Sequence, residues 1–151
     1  MINLVIYGLD QYIVGRLSRE LNNHLAEIYN VDADDITFVA PNNMVFHNGV
    51  EQTSWDIKIE VHAPASARIF QEEVAYYLLN VIGDIAINKT VDFYYFNDDD
   101  HYTKINHEYP RFLTVDNIEE EEYEYSEELD EGEGEDELYT ENMFKDFHPD
   151  R

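Results

Sequence analysis

The sequence has no cysteine among its 151 residues, so disulfides and thiolate metal sites are excluded, and a reducing compartment, the cytoplasm, is expected. Basic residues are scarce: 9 lysines and arginines stand against 34 acids, a formal net charge of −25. A chain this negative repels phosphates and anionic lipid, which argues against nucleic acid and membrane surfaces and favours a basic partner or a cation. Long hydrophobic runs are missing too. Ile2–Leu9 is apolar, but it lacks a basic flank and is too short to cross a bilayer, so neither a leader nor a membrane span is expected. There is no phosphate-cradling glycine loop, nucleophile elbow or pair of zinc ligands, and no cofactor is expected.

What is present suffices for one core, since apolar residues make up 44% of the chain. The charge is unevenly placed: residues 116–151 hold 17 acids and 2 bases, net −15, which leaves −10 for residues 1–115. The chain thus divides into a folded domain, 1–115, and an acidic tail, 116–151. Ser54–Ala63 alternates strictly and predicts the sheet's central strand, with Trp55, Ile57, Ile59 and Val61 on one face and Asp56, Lys58, Glu60 and His62 on the other. Pro64 cannot donate to a ladder and suits a first helical turn. A helix is therefore expected from there, striped by Ile69 or Phe70, Val74, Leu78 and Val81 and capped at Gly83. Upstream, Ile2–Leu9 predicts a buried strand, and Asp10 caps a helix carrying Ile13, Leu17, Leu21, Leu25 and Ile28 that ends near Asn30. His24 lies at the edge of that stripe. Short strands follow at Ile36–Ala40 and Met44–Phe46, Asn48-Gly49 marks a hairpin, and Thr90–Phe96 supplies the last strand.

Strand, helix, strand therefore occurs twice. Adding 53 to the numbering lays Leu17, Glu20, Leu21, Leu25 and Ile28 on Phe70, Glu73, Val74, Leu78 and Val81, and Ile2 and Leu4 on Trp55 and Ile57. Two extra residues in the second half then lay Ile36 and Phe38 on Val91 and Phe93. The predicted fold is α+β in two layers, a duplicated βαβ with one sheet, two helices on one face and parallel pairing within each unit. The uncovered face would carry Val5, Tyr7, Val39, Tyr94 and Phe96 beside Asp56, Lys58 and Glu60. Such a face is too apolar for water and too charged for a core, and burial against copies of itself resolves the mismatch. The plainer alternative is a sheet left open on one side.

A duplicated βαβ of this length, with the Pro41–Gly49 turn and hairpin ahead of the central strand, resembles the tautomerase superfamily over residues 1 to about 110. That superfamily includes 4-oxalocrotonate tautomerase and macrophage migration inhibitory factor. More narrowly, Phe46-His47-Asn48-Gly49, Ile59-Glu60-Val61, Gln71 and Ala75 resemble an uncharacterised bacterial family within it. The resemblance implies a homotrimer in which three sheets surround a central barrel and the helices lie outside. It also implies catalysis by an N-terminal proline exposed on methionine removal, and here the sequence departs from the pattern. It begins Met1-Ile2, and a bulky second residue is expected to keep the methionine in place. An ordinary α-amine titrates at about 7.7–8.0, so only weak proton abstraction is expected from it. The pocket equivalent to the family's would be built from Met1, Ile2, Ala63, Asp92 and Tyr94, none of which reproduces the catalytic pattern. The bacterial family's arginine at the start of the second helix has only Arg68 nearby, out of register.

Asp98, Asp99, Asp100 and His101, with His107 beyond, offer oxygen and imidazole ligands for a divalent cation. No glycine-turned ligand loop accompanies them, nor Asp32–Asp35, so a solvated acidic loop is the plainer reading of both. His62 beside Glu60 is a candidate proton carrier, although strand-end histidines are more often simply hydrogen-bonded. Glu119–Glu137 is too acidic to order itself and is expected to be disordered. Beyond it Tyr139, Met143 and Phe147 share one side of a helical wheel, which suits folding on a partner or on the chain's own domain; a solubilising tail is the alternative. Three functions follow: a binding or scaffold homotrimer without the catalytic proline, a weak enol–keto tautomerase using the Met1 amine, and an acidic interaction protein holding a basic partner through its tail.

Overall fold

The computed structural model describes residues 1–117. The acidic run Glu119–Glu137 and the Tyr139, Met143 and Phe147 stripe lie outside the described residues. Met1–Lys104 form one compact unit; of the second, Ile105–Arg151, the description ends in a 3-10 turn at Val115–Asn117.

Strand β1 (Ile2–Tyr7) buries Ile2, Leu4 and Ile6 and turns Asn3, Val5 and Tyr7 to the other face. Gly8 follows with φ of +86°, and a Cβ there would stand 3.1 Å from the Asp56 carbonyl oxygen, so only glycine lets the backbone turn this close to the next long strand. The Asp10 carboxylate accepts the Tyr12 N–H at 2.6 Å and starts α1 (Gln11–Tyr29), which Asn30 ends in the left-handed region. Val14, Leu17, Leu21 and Leu25 are buried along its inner face. A 3-10 turn, Ala33–Asp35, feeds β2 (Ile36–Val39). Strands β3 (Phe46–His47) and β4 (Val50–Glu51) form the expected hairpin, with Asn48 and Gly49 both at positive φ, as a two-residue primed turn requires.

The long strand β5 (Asp56–Pro64) buries Ile57, Ile59, Val61 and Ala63, and a 3-10 stretch, Ala65–Phe70, leads into α2 (Gln71–Val81) and then β6 (Asn88–Phe96). The four long strands form one sheet in the order β2-β1-β5-β6. The outer pairs are parallel and the central pair, β1 with β5, is antiparallel, as two βαβ units related by a pseudo-twofold axis require. Both helices pack on one face, and every buried side chain there is apolar.

Several details differ from the sequence reading, and the short strand expected at Met44–Phe46 forms at Phe46–His47 instead. Trp55 is not on the strand's core face: its N–H bonds the Gln52 carbonyl in a turn, and the residue stays 57% exposed. Pro64 ends β5 opposite Phe96 rather than opening a regular helix, because the 3-10 stretch intervenes. That stretch also turns Ile69 outward, and the α2 stripe runs through Phe70, Val74, Leu78 and Ile82, with Val81 exposed. The second half is shorter, not longer: Ile2 pairs with Ile36, 34 residues on, but Asp56 pairs with Asn88, 32 residues on. α2 has 11 residues against the 19 of α1, and the 6-residue 3-10 stretch before it makes up all but two of the missing ones.

Candidate functional site

Polar side chains gather at one end of the sheet, where β1 begins and β5 and β6 end. On the open face the register sets Asn3 opposite His62 and His62 opposite Tyr94, while Thr37 of β2 flanks Asn3. The Thr37 hydroxyl donates to Asn3 Oδ1. The His62 ring stacks on Tyr94 at 5.0 Å, and its Nε2 lies 2.9 Å from Glu60 Oε2. Both partners of that pair are half-buried. The next row towards the middle of the sheet is Val39, Val5, Glu60 and Asp92. A carboxylate set directly beside an imidazole can hold and pass a proton, so this is the part of the open face with acid–base capacity.

On the helix-covered face of the same end, the 3-10 stretch carries Arg68 out over β6. Its guanidinium sits 4.7 Å above the Tyr95 ring, and the Tyr95 hydroxyl donates to Gln71 Oε1 at 2.9 Å. Phe93 stacks beside Tyr95, and Tyr29 at the end of α1 meets Phe70 edge-on. Burial raises the Tyr95 pKa while the Arg68 charge draws it down. Burial also raises that of Tyr29, and the Tyr95 charge adds to the effect. Arg68, out of register by sequence with the arginine of the family it resembles, is thus placed by tertiary packing on an aromatic face. Gln71 entered the sequence reading only through resemblance, and Tyr29 and Tyr95 not at all. No spacing joins positions 29, 68 and 95, so only the fold brings them together.

The five residues of the sequence-derived pocket fall on two sides of the sheet. Ile2 and Ala63, 2% and 0% exposed, point into the helix-covered core, whereas Asp92 and Tyr94 stand on the open face and Met1 is half-buried just before β1. His101 stacks on Phe96 at 4.9 Å and its Nε2 lies 2.9 Å from Thr103 Oγ1. Among the described residues no three His, Asp or Glu side chains are grouped to hold a metal ion, Asp98, Asp100 and His101 included. No helix among them is long and apolar enough to cross a membrane.

Solved structures share this architecture. The chain is similar to a DUF1904 domain of unknown function from Sebaldella termitidis, at 21% identity over 68% of this chain and 95% of that one, with a TM-score of 0.59. A macrophage migration inhibitory factor-like protein from Entamoeba histolytica is 12% identical over 68% and 95% of the two chains, with a TM-score of 0.54. A member of the cis-3-chloroacrylic acid dehalogenase family is 9% identical over 67% and 79%, with a TM-score of 0.51. At such identities these likenesses establish the tautomerase fold and nothing finer. No curated protein matches the chain. Residues 1–107 match the family described as a domain of unknown function, DUF1904, and the chain belongs to that family.

Proposed function

We propose that the protein is a binding or scaffold homotrimer of the tautomerase fold and not a proline-dependent tautomerase. The open sheet face carries this reading. A sheet wetted on one side normally alternates apolar inward with polar outward, yet here Val39 and Tyr94 leave 44% and 48% of their surfaces exposed beside Val5, Tyr7 and Phe96. Asp56, Lys58 and Glu60 interrupt that surface, so a partner covering it must pair or hydrate them. Three copies around a common axis supply a symmetric cover, as the family resemblance implies. Against the proline mechanism, β1 opens on Ile2, whose side chain is committed to the core. In the same proposal the domain is residues 1–115, the protein works in the cytoplasm, and the −15 of residues 116–151 is an arm for a basic protein partner. Light scattering is expected to give three times the 17.8 kDa chain mass; a monomer mass at micromolar concentration in ordinary salt overturns the reading.

The His62–Glu60 pair favours a second reading, weak enol–keto proton transfer at this end of the sheet. Phenylpyruvate enol followed by ultraviolet absorbance tests it. Turnover above the solution rate that His62→Gln abolishes supports an enzyme, and turnover indistinguishable from buffer leaves the scaffold reading alone.

A further inference from the structure

On the side of the helices away from the sheet, α1 and α2 leave a groove of about 430 Å3 that is open to solvent. Its apolar lining comes from Ile28 of α1 and Val81 of α2, and Tyr76 and Tyr77 supply aromatic walls. The walls are set before any ligand arrives. The Tyr77 ring lies 4.5 Å from that of His24, His24 Nδ1 is 3.4 Å from Glu27 Oε2, and Asn80 Nδ2 donates to the Tyr76 carbonyl at 2.6 Å. Tyr76 itself remains 74% exposed, a large aromatic surface with nothing over it. Glu73 also lines the groove, forms no ion pair among the described residues, and has no lysine or arginine lining the groove with it.

We propose that this groove docks a basic amphipathic helix of another protein, with its apolar residues on Ile28, Tyr76 and Val81 and a lysine or arginine beside Glu73 against a tyrosine face. Charge selects this occupant. A second copy of the chain would bring Glu73 and Glu27 against their own duplicates on a domain already at −10, and residues 116–151 are more acidic still. A cationic side chain satisfies the free carboxylate and gains from the exposed ring. A helix fits because side chains spaced three and four residues apart form a ridge that seats between two helices. The groove faces away from the open sheet, so this inference stands whether or not the chain forms trimers.

The test is a titration of the full-length, nitrogen-15-labelled chain with a synthetic leucine–lysine peptide in helical spacing, read at the backbone amides. Saturable shifts at Tyr76, Tyr77 and Asn80 are expected. Tyr76→Ala and Glu73→Gln, each with an unchanged circular dichroism spectrum, should weaken the affinity read at those amides by about tenfold. The leucine–glutamate counterpart should give no shifts. Shifts confined to residues beyond 117 would mean that the peptide meets only the acidic tail, and would overturn the proposal, as would variants that bind like the parent. Loss of native mass by Tyr76→Ala in light scattering would assign the groove to self-association and also overturn it.

Discussion

The substitution Val39→Asp separates an open-faced monomer from a trimer built on that face. Val39 is the last residue of β2, is 44% exposed, and stands beside Val5 on the uncovered side of the sheet. In a monomer the new carboxylate stays in water, and the change is expected to cost no more than about 1 kcal/mol, mostly strand preference. In a trimer that covers the face, a polar group buried without a partner costs about 2 kcal/mol. Symmetry enters that cost three times, about 6 kcal/mol per trimer, which at about 1.4 kcal/mol per tenfold is on the order of 10⁴ in the dissociation constant. For a trimer that constant scales with the square of the midpoint concentration, so the midpoint rises on the order of a hundredfold. Light scattering over a dilution series reads it directly. Tyr12→Asp, at a residue 78% exposed on α1, is the control and should leave the mass unchanged. If Val39→Asp assembled at the parent's concentrations, the argument from the mismatched face would fail.

Leu78→Ala, at a residue 1% exposed beneath α2, is expected to lower stability by about 2–5 kcal/mol in urea titrations, whereas Trp55→Ala, outside the core, should cost far less. Tyr29 has its pKa raised above the ordinary 10 by burial, so the unfolded chain loses that proton first as pH climbs. Its contribution to stability is whole below pH 10 and is lost above it, and Tyr29→Phe should flatten the alkaline fall in chemical-denaturation midpoints. A fragment ending at Asp116 retains every residue of the core and is expected to melt within a few degrees of the full chain; a midpoint well below that would show that residues 117–151 contribute to the fold.

The sheet and α1 were legible because their signals are local. Alternation along β5 names its buried face, Asp10 and Asn30 bracket α1, and Asn48-Gly49 dictates the hairpin. Boundaries fared worse where two local rules meet. Trp55 continues the alternation on paper, but Gln52 captures its N–H in a turn, so the strand opens at Asp56 and not at Ser54. Pro64 cannot extend a ladder, yet it can end one, and the 3-10 stretch after it re-phases α2 so that Ile82 takes the inward place expected of Val81. The polar cluster of Tyr29, Arg68, Gln71 and Tyr95 left no periodic trace. Its members come from four different elements, α1, the 3-10 stretch, α2 and β6, and only the β5–β6 register with the 3-10 turn sets Arg68 over Tyr95.

A duplicated fold has two equivalent ends, and this chain treats them differently. At the end where β1 finishes and β5 begins, the backbone is closed off. Ser54 N–H bonds the Gly8 carbonyl, Gln52 N–H bonds the Val45 carbonyl, and a Cβ on Gly8 would stand 3.2 Å from the Val45 side chain. The hairpin therefore packs against the space that the twofold would otherwise leave for a second site. At the opposite end no hairpin intervenes among the described residues, and both faces of the sheet carry hydrogen-bonding and aromatic groups: Thr37, Asn3, His62 and Tyr94 on the open side, Arg68, Gln71 and Tyr95 on the other. Polar side chains stand at both ends, Asp56, Lys58 and Lys89 at the first, but among the described residues the sheet's side-chain-to-side-chain bonds, Thr37 to Asn3, His62 to Glu60 and Tyr95 to Gln71, gather at the second, and the proposed proton-transfer reading rests on that difference.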